Sequence, residues 1–361
     1  LAEQNKHIEE YNELTKETNE HREEFLGEVA DRTRAVGNRL FWQEIRSDYP
    51  VLHSKDFESG EEVQYGFKIG KVESSNYSAG SKLVVHANTE ISGDEVHYMA
   101  WKVGAEKAKV GELVLKAPKS EAKWWSYDVD GSSVYIAKKE GDDYALEKWT
   151  PGEGAQTETV VMLEKASGKE IGEFWTVSID DDHAIYVESG RVWHLDMGKK
   201  KATWVGNETE VLNGMYDDEG AYMAQEEGGS GAGLYFFPYG GGDSVSISKG
   251  IEESGYEMNE TFDSAHRFSG DGEQFFLWKS TIVYVGSSGV FAYGMNDGRV
   301  SPLLIEPRPE VSQGVRIEYR YPTVLDNGML FVTGLASESG SVGADGPIYR
   351  VDLTDYEDLP K

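Results

Sequence analysis

The first 47 residues carry their apolar side chains at helical intervals. Ile8, Tyr11, Thr15, Thr18, Arg22, Phe25 and Val29 step by three and four, the spacing of one face of an α-helix. Val36, Leu40, Phe41 and Ile45 continue the series more densely. The pattern predicts a helical segment over residues 1–47, solvated in its first half and packed on a following domain in its second. Thr15, Thr18 and Arg22 interrupt the seam too often for a coiled coil, so a stalk or a helix that meets a partner helix is the sharper alternative. Gly27 and Gly37 each weaken a helix by up to about 1 kcal/mol relative to Ala and mark a bend or break. Asp48-Tyr49-Pro50 is the stop, because the residue before Pro is pushed out of the α region. Residues 48–80 then read as a linker with one or more closing strands.

From about Val63 the period changes to short alternating runs. One unit recurs: an apolar strand, an Asp/Gly turn, then an aromatic or β-branched strand. It occurs at Ile91–Tyr98, Val129–Tyr135, Ile179–Tyr186, Tyr216–Tyr222, Phe268–Phe276 and Val324–Phe331, with the turns at Asp94, Asp130, Asp181, Asp218, Asp271 and Asn327. Measured between Tyr98, Tyr135, Tyr186, Tyr222, Phe276 and Phe331, the steps are 37, 51, 36, 54 and 55. Their mean, about 47, falls in the range of a four-stranded propeller blade. A second strand with an aromatic follows most turns: Leu146–Trp149, Arg191–Asp196, Gly233–Phe237, Gly289–Tyr293 and Pro347–Asp352. Alternation along it places one side against a neighbouring sheet and the other toward solvent. The chain therefore reads as an all-β propeller over residues 81–361, six-bladed, or seven-bladed if Val63–His86 forms its own unit. The last unit, Ile317–Leu353, has room for three strands. An N-terminal strand must complete it, and Gln64–Val72 and Lys82–His86 are the candidates, since an open edge invites pairing with other chains.

The run Phe268-Ser269-Gly270-Asp271-Gly272-Glu273-Gln274-Phe275-Phe276 is similar to the Phe-Ser-Pro-Asp-Gly turn of TolB-type, WD-like β-propeller repeats, with Gly270 in place of Pro. Ile348-Tyr349-Arg350-Val351-Asp352-Leu353 resembles the strand that follows in that family. The resemblance covers about residues 80–358 as a repeat type. It implies the fold and is nearly silent on function, since such propellers serve as scaffolds, peptidase gates and lyases.

Charge narrows the partners. With 35 Lys and Arg against 65 Asp and Glu, the formal net charge is −30. No basic stretch collects the cations, so nucleic acid is excluded as a partner, and docking on anionic lipid is disfavoured. Cys is absent, which removes disulfide, zinc-thiolate and Cys-nucleophile chemistry. No apolar run is long enough for a transmembrane helix.

Candidate chemistry is sparse. Asp128-Val129-Asp130-Gly131 begins like a calcium loop, but Ser132 and Lys139 occupy positions where an EF-hand needs an acceptor and a Glu. The acidic turns Asp180–Asp182 and Asp217–Glu219, with Asp181 and Asp218 at their centres, read as solvated turns or weak Ca²⁺ holders. Gly228–Gly233 precedes a strand rather than a helix, which excludes a dinucleotide loop, and Ala232 breaks a nucleophile elbow centred on Ser230. The eight His show no ligand spacing, although His183 and His194 share one unit and His86 and His97 another. Trp124, Trp125 and Trp175 stand ahead of acidic turns, and Trp149 and Trp193 in the third-strand slot. They read as sheet-to-sheet packing, with sugar stacking as the alternative.

The leading expectation is a non-catalytic protein-interaction scaffold with no cofactor, no catalytic residues and no metal. Its binding candidates are Trp124, Trp125, Trp175, Asp181 and Asp218. Another protein is the expected partner, with residues 1–47 as a helix-mediated contact and polysaccharide as the alternative ligand. A carbohydrate-binding or carbohydrate-active propeller is the second reading, and a metal-dependent hydrolase or lactonase the third. The expected location is periplasmic, tethered at the outer membrane or secreted; a signal peptide or lipid-bearing Cys ahead of Leu1 is not readable from this sequence, and a cytoplasmic location stays open.

Overall fold

The computed structural model describes residues 13, 15–16, 18–20, 22–26, 31–46, 49–65, 76–88, 95–105, 109–116, 125–172, 174–207, 211–217, 219–226, 232–239, 243–253, 275–286, 289–305, 315–338, 341–342, 346–356 and 359. The chain is an all-β propeller with seven sheets. Six of them run in chain order, each strand pairing the next. They are β2–β5 (Asp31–Val36, Arg39–Arg46, Tyr49–Asp56, Glu62–Gln64), β6–β9 (Asn76–Ala79, Leu83–Asn88, Glu95–Lys102, Lys109–Lys116) and β10–β13 (Ser126–Asp130, Ser133–Glu140, Asp143–Trp149, Glu158–Met162). The others are β14–β17 (Phe174–Asp180, His183–Glu188, Arg191–Asp196, Lys201–Asn207), β18–β21 (Val211–Tyr216, Gly220–Glu226, Ala232–Pro238, Val245–Ser246) and β22–β25 (Phe275–Trp278, Thr281–Gly286, Gly289–Gly294, Val300–Ile305). Two short helices follow outer strands: α1 (Leu163–Ser167) after β13 and α2 (Ile247–Glu253) after β21.

The seventh sheet joins the two ends of the chain. It holds β26 (Val315–Val324), β27 (Met329–Glu338) and β29 (Ile348–Asp352), with the short β28 (Ser341–Val342) on β27. Its fourth strand is β1 (Glu23–Leu26), which pairs antiparallel to β29 with Glu23 opposite Arg350 and Leu26 opposite Ile348. An N-terminal strand does complete the last unit, but it is β1 rather than Gln64–Val72 or Lys82–His86. The count is seven, not six.

The helical segment expected over residues 1–47 is overturned in its second half. Residues 23–26, 31–36 and 39–46 form β1, β2 and β3, and helical backbone in this stretch is confined, among the described residues, to positions between Glu13 and Asn19. Residues 1–12 lie outside the described residues. The reason lies in β3. Leu40, Phe41 and Trp42 are all buried, so both faces of the strand are covered and the period-2 alternation that marks a strand is erased. Gly37, at φ +61°, makes the β2–β3 turn with Asn38, a conformation that favours glycine.

Contacts divide the chain into two compact units. The unit of residues 46–221 and 237–244 contains the β6–β9, β10–β13 and β14–β17 sheets. Their middle strands are buried on both faces, as in β11 and β15, whereas the outer β9 is largely exposed. This is the expected result of sheets stacking face to face with their last strand outermost. Tyr144, Phe174, Tyr186 and Trp193 stack in series at centroid separations of 5.1, 6.0 and 6.2 Å, within one cluster that spans the β10–β13 and β14–β17 sheets. A second cluster joins β6–β9 to β10–β13. There Gly111 matters, because a Cβ on it would stand 3.0 Å from the Trp149 ring. In the unit of residues 1–45, 222–236 and 245–361, a third cluster links β22–β25 to β26, β27 and β29.

Candidate functional site

Buried polar groups come first, because each must be accounted for. Asp128, on β10, is buried and fastens three sheets. Its Oδ1 accepts from Ser78 Oγ of β6 at 2.8 Å and from the Val129 amide at 2.9 Å. Its Oδ2 accepts from the Ile179 amide of β14 at 2.9 Å and from Ser178 Oγ at 3.4 Å. The residue read as the first position of a failed calcium loop is therefore a structural clamp. Ser126 repeats the theme, accepting from the Val177 amide at 3.1 Å. Glu188, fully buried, takes the Arg191 guanidinium at 2.6 Å, the Trp193 indole N–H at 3.0 Å and the Gly172 amide at 3.0 Å. These carboxylates tie neighbouring strands and sheets together.

Some exposed side chains lie at the turns between first and second strands. The β14–β15 turn is Asp181-Asp182, with Asp181 at φ +48° and both side chains exposed. Asp130, at the β10–β11 turn, has its carboxyl raised above the usual range, first by burial and then by the charges of Asp181, Asp128 and Asp182. The same end carries the β16–β17 turn, where the Met197 amide donates to Asp182 O at 2.9 Å. There Lys199 donates to Asp196 from its ammonium at 2.7 Å and its amide at 2.8 Å, which holds the Asp196 carboxyl below its usual range.

Two imidazoles meet at this end. His183 opens β15 and His194 lies on β16. The register pairs His183 with Asp196 and Ile185 with His194, so the two His are diagonal neighbours on one face. His183 Nδ1 and His194 Nε2 stand 2.9 Å apart, one donating and the other accepting. The ring of Tyr239, which follows β20, stacks on His194 at 4.0 Å and 12° and lies 6.0 Å from His183. His183 is exposed and His194 is 9% exposed. Burial first, and the charge of His183 second, push His194 down to about 4, so its imidazole is neutral at physiological pH. The result is an aromatic and imidazole platform beside the exposed Asp181 and Asp182 of one turn and the Asp196–Lys199 ion pair of the next, with Lys200 and Lys201 also exposed there.

The sequence candidates fall as follows. Asp181 is exposed on the acidic turn. Trp125 is partly buried against the cluster between β6–β9 and β10–β13. Trp175 lies on β14 at an irregularity in its pairing with β15. Trp124 and Asp218 lie outside the described residues, as do the Asp94 and Asp271 turns. Asp217 accepts from the Glu219 and Gly220 amides at 2.8 and 3.0 Å, the role of a turn residue. Trp149 and Trp193 are buried, and the Trp149 indole donates to Gly154 O at 2.9 Å. Tyr239 and the contact between His183 and His194 escaped the sequence reading. The pair becomes legible only once the hairpin turn is placed at Ser189-Gly190, which makes residues 183 and 194 diagonal. In the other unit, an open cavity of about 410 Å³ lies among Ala35, Gly37, Trp278, Lys279 and Asp326, with the Lys279 ammonium 4.5 Å over the Trp278 ring.

No protein-family model matches the chain, and no curated protein matches it in sequence. Solved structures do match. The β-propeller domain of the Trilobed protease from Pyrococcus furiosus, described as having an open velcro topology, aligns at a TM-score of 0.53 and 14% identity over 78% of this chain and 85% of that one. A prolyl endopeptidase aligns at a TM-score of 0.54 and 13% identity over 98% of this chain, which spans 55% of the endopeptidase chain. At such identities the likeness is one of fold, and the fold this chain shares with them is the β-propeller.

Proposed function

We propose that this protein is a non-catalytic scaffold that binds another protein through the acidic turn end of the β14–β17 sheet. One observation carries the reading. The polar groups buried between sheets, Asp128 and Glu188 above all, are engaged in fastening the fold. The His183–His194–Tyr239 platform stands beside the exposed Asp181 and Asp182 of the β14–β15 turn. A net charge of −30 and an acidic rim select a partner with a basic face, by steering and by complementarity. Loops carried on a stiff sheet framework are the usual place for such recognition. The structural neighbours support the framework and not their chemistry, since at 13 and 14% identity the protease and endopeptidase activities do not transfer.

The test is capture of partners from the native host by the intact chain and by a D181K/D182K variant. Both Asp are exposed turn residues, so the variant folds. A protein retained by the wild type should be lost from the charge-reversed chain, and its retention should weaken as salt is raised. Identical capture by both chains would overturn the reading. Truncation of residues 1–47 is unsuitable, because it removes β1, β2 and β3.

A further inference from the structure

We propose that His183 and His194 form a two-imidazole chelate for a divalent transition-metal ion, favouring Cu²⁺ over Zn²⁺. The warrant is the separation of the two ring nitrogens. His183 Nδ1 and His194 Nε2 are 2.9 Å apart. With metal–nitrogen bonds of about 2.05 Å, two ligands at 90° stand about 2.9 Å apart, and at the tetrahedral angle about 3.3 Å. Here the two nitrogens face each other across a hydrogen bond, with ring centroids 5.0 Å apart, and a turn of the exposed His183 ring aims both lone pairs at one ion within this span. Among divalent ions an all-imidazole pair holds Cu²⁺ most tightly.

The surroundings suit a cation. His194 is fixed beneath the Tyr239 ring, so half of the chelate is pre-organised, and exposed His183 offers the way in. Asp181 and Asp182 at the adjoining turn, and the overall charge of −30, raise the local concentration of cations. Proton bookkeeping is simple. With both rings neutral, the N–H shared between them moves to the other nitrogen of its own ring and both facing nitrogens present lone pairs to the ion; where His183 carries a second proton, that proton is released to solvent as the ion enters. Among the described residues no group of three or more His, Asp or Glu is gathered for a metal, so water completes the coordination and the site is exchangeable.

Calorimetric titration of the full chain with CuCl₂ and ZnCl₂, followed by electron paramagnetic resonance of the Cu²⁺ form, tests this. One ion per chain with two-nitrogen hyperfine coupling is expected, with affinity lowered at least tenfold in H183A and likewise in H194Q. H183A alters an exposed residue and keeps the fold. H97A, which removes the His between Glu95 and Glu112, should bind as the wild type does. No binding, binding unchanged in H183A, loss in H97A, or tighter Zn²⁺ than Cu²⁺ would each overturn the proposal. None of these outcomes depends on the protein partner.

Discussion

Asp128 is 7% exposed and receives hydrogen bonds from residues 50 and 51 positions away on either side. Removing its carboxylate breaks its hydrogen bonds with the Ile179 amide and the Ser78 hydroxyl. Each bond to a charged acceptor is worth about 1.5–3 kcal/mol, so D128A should destabilise the chain by about 3–6 kcal/mol, read as a lower urea midpoint at unchanged slope. A midpoint within error of the wild type would show that the clamp is not holding the sheets. His86 and His194 act in pH. Burial pushes His86 down to about 4, and burial followed by the His183 charge does the same for His194. Their unfolded values lie near 6.5, so the unfolded chain takes up these protons first. Stability is full above about pH 6.5 and is lost as pH falls toward 4. Asp130 works in the opposite sense, its ionised form being the one the fold disfavours. The urea midpoint should therefore drop between pH 7 and pH 4.5, and H86Q and H194Q should each shallow that drop. An equal drop in both variants would exclude the imidazoles as its source. At this scale the sequence marked Asp128 as an acid beside a turn. It held no sign that the donors would come from the preceding and following sheets.

β1 shows what a four-residue element can do when its surroundings fix it. Its pairing with β29 is short and irregular, and neighbouring side chains add to it. Asn19 bonds Ile305 of β25 twice, donating at 2.9 Å and accepting at 3.1 Å. Arg22 donates to the Tyr319 hydroxyl at 2.9 Å and lies 4.4 Å over the Tyr349 ring. Phe25 meets Trp42 and Phe331 edge-on at 5.9 and 5.2 Å. The ion pair of Glu23 with Arg350 is exposed and is worth less than about 1 kcal/mol. E23A should accordingly leave the melting temperature almost unchanged. Deleting residues 1–26 should lower it and bring concentration-dependent light scattering, because β29 becomes a bare edge. Deletion without scattering or destabilisation would mean that β1 does not close the sheet. This element was invisible in the sequence for a physical reason. Glu23-Glu24-Phe25-Leu26 is too short to show a period, and the residues before it happen to step at helical intervals.

For the whole molecule, the repeat was legible and its count was not. The turn between first and second strands is acidic at Asp130, at Asp181-Asp182 and at Asp217, and is Asp326-Asn327 in the last sheet. In β2–β5 it is Gly37-Asn38, in β6–β9 Gly80-Ser81-Lys82 and in β22–β23 Lys279-Ser280. Counting acidic turns misses those three. It also admits two stretches that fall elsewhere in the chain order, Asp94 between β7 and β8 and Asp271 ahead of β22. A turn of this kind needs only residues that tolerate positive φ, a condition Lys279 meets at +52°, so acidity is a habit of the repeat and not a requirement of the fold. Charge, by contrast, belongs to no single turn. With 65 acidic residues against 35 basic ones, the folded chain repels itself, and expansion relieves that repulsion. The screening length shrinks from about 30 Å at 0.01 M salt to about 8 Å at 0.15 M. Raising NaCl across this range should raise the melting temperature, and the gain should level off near 0.3 M as the remaining charges become screened. Sucrose at matched osmolality, which stabilises by exclusion and not by screening, should lack the steep rise at low concentration. Partner capture should move the other way over the same NaCl range, because the charge that strains the free chain is the charge that recruits a basic surface. A melting temperature flat in NaCl would mean that the acidic residues are already neutralised in pairs, and the rim at Asp181 and Asp182 would then have no field with which to steer a partner.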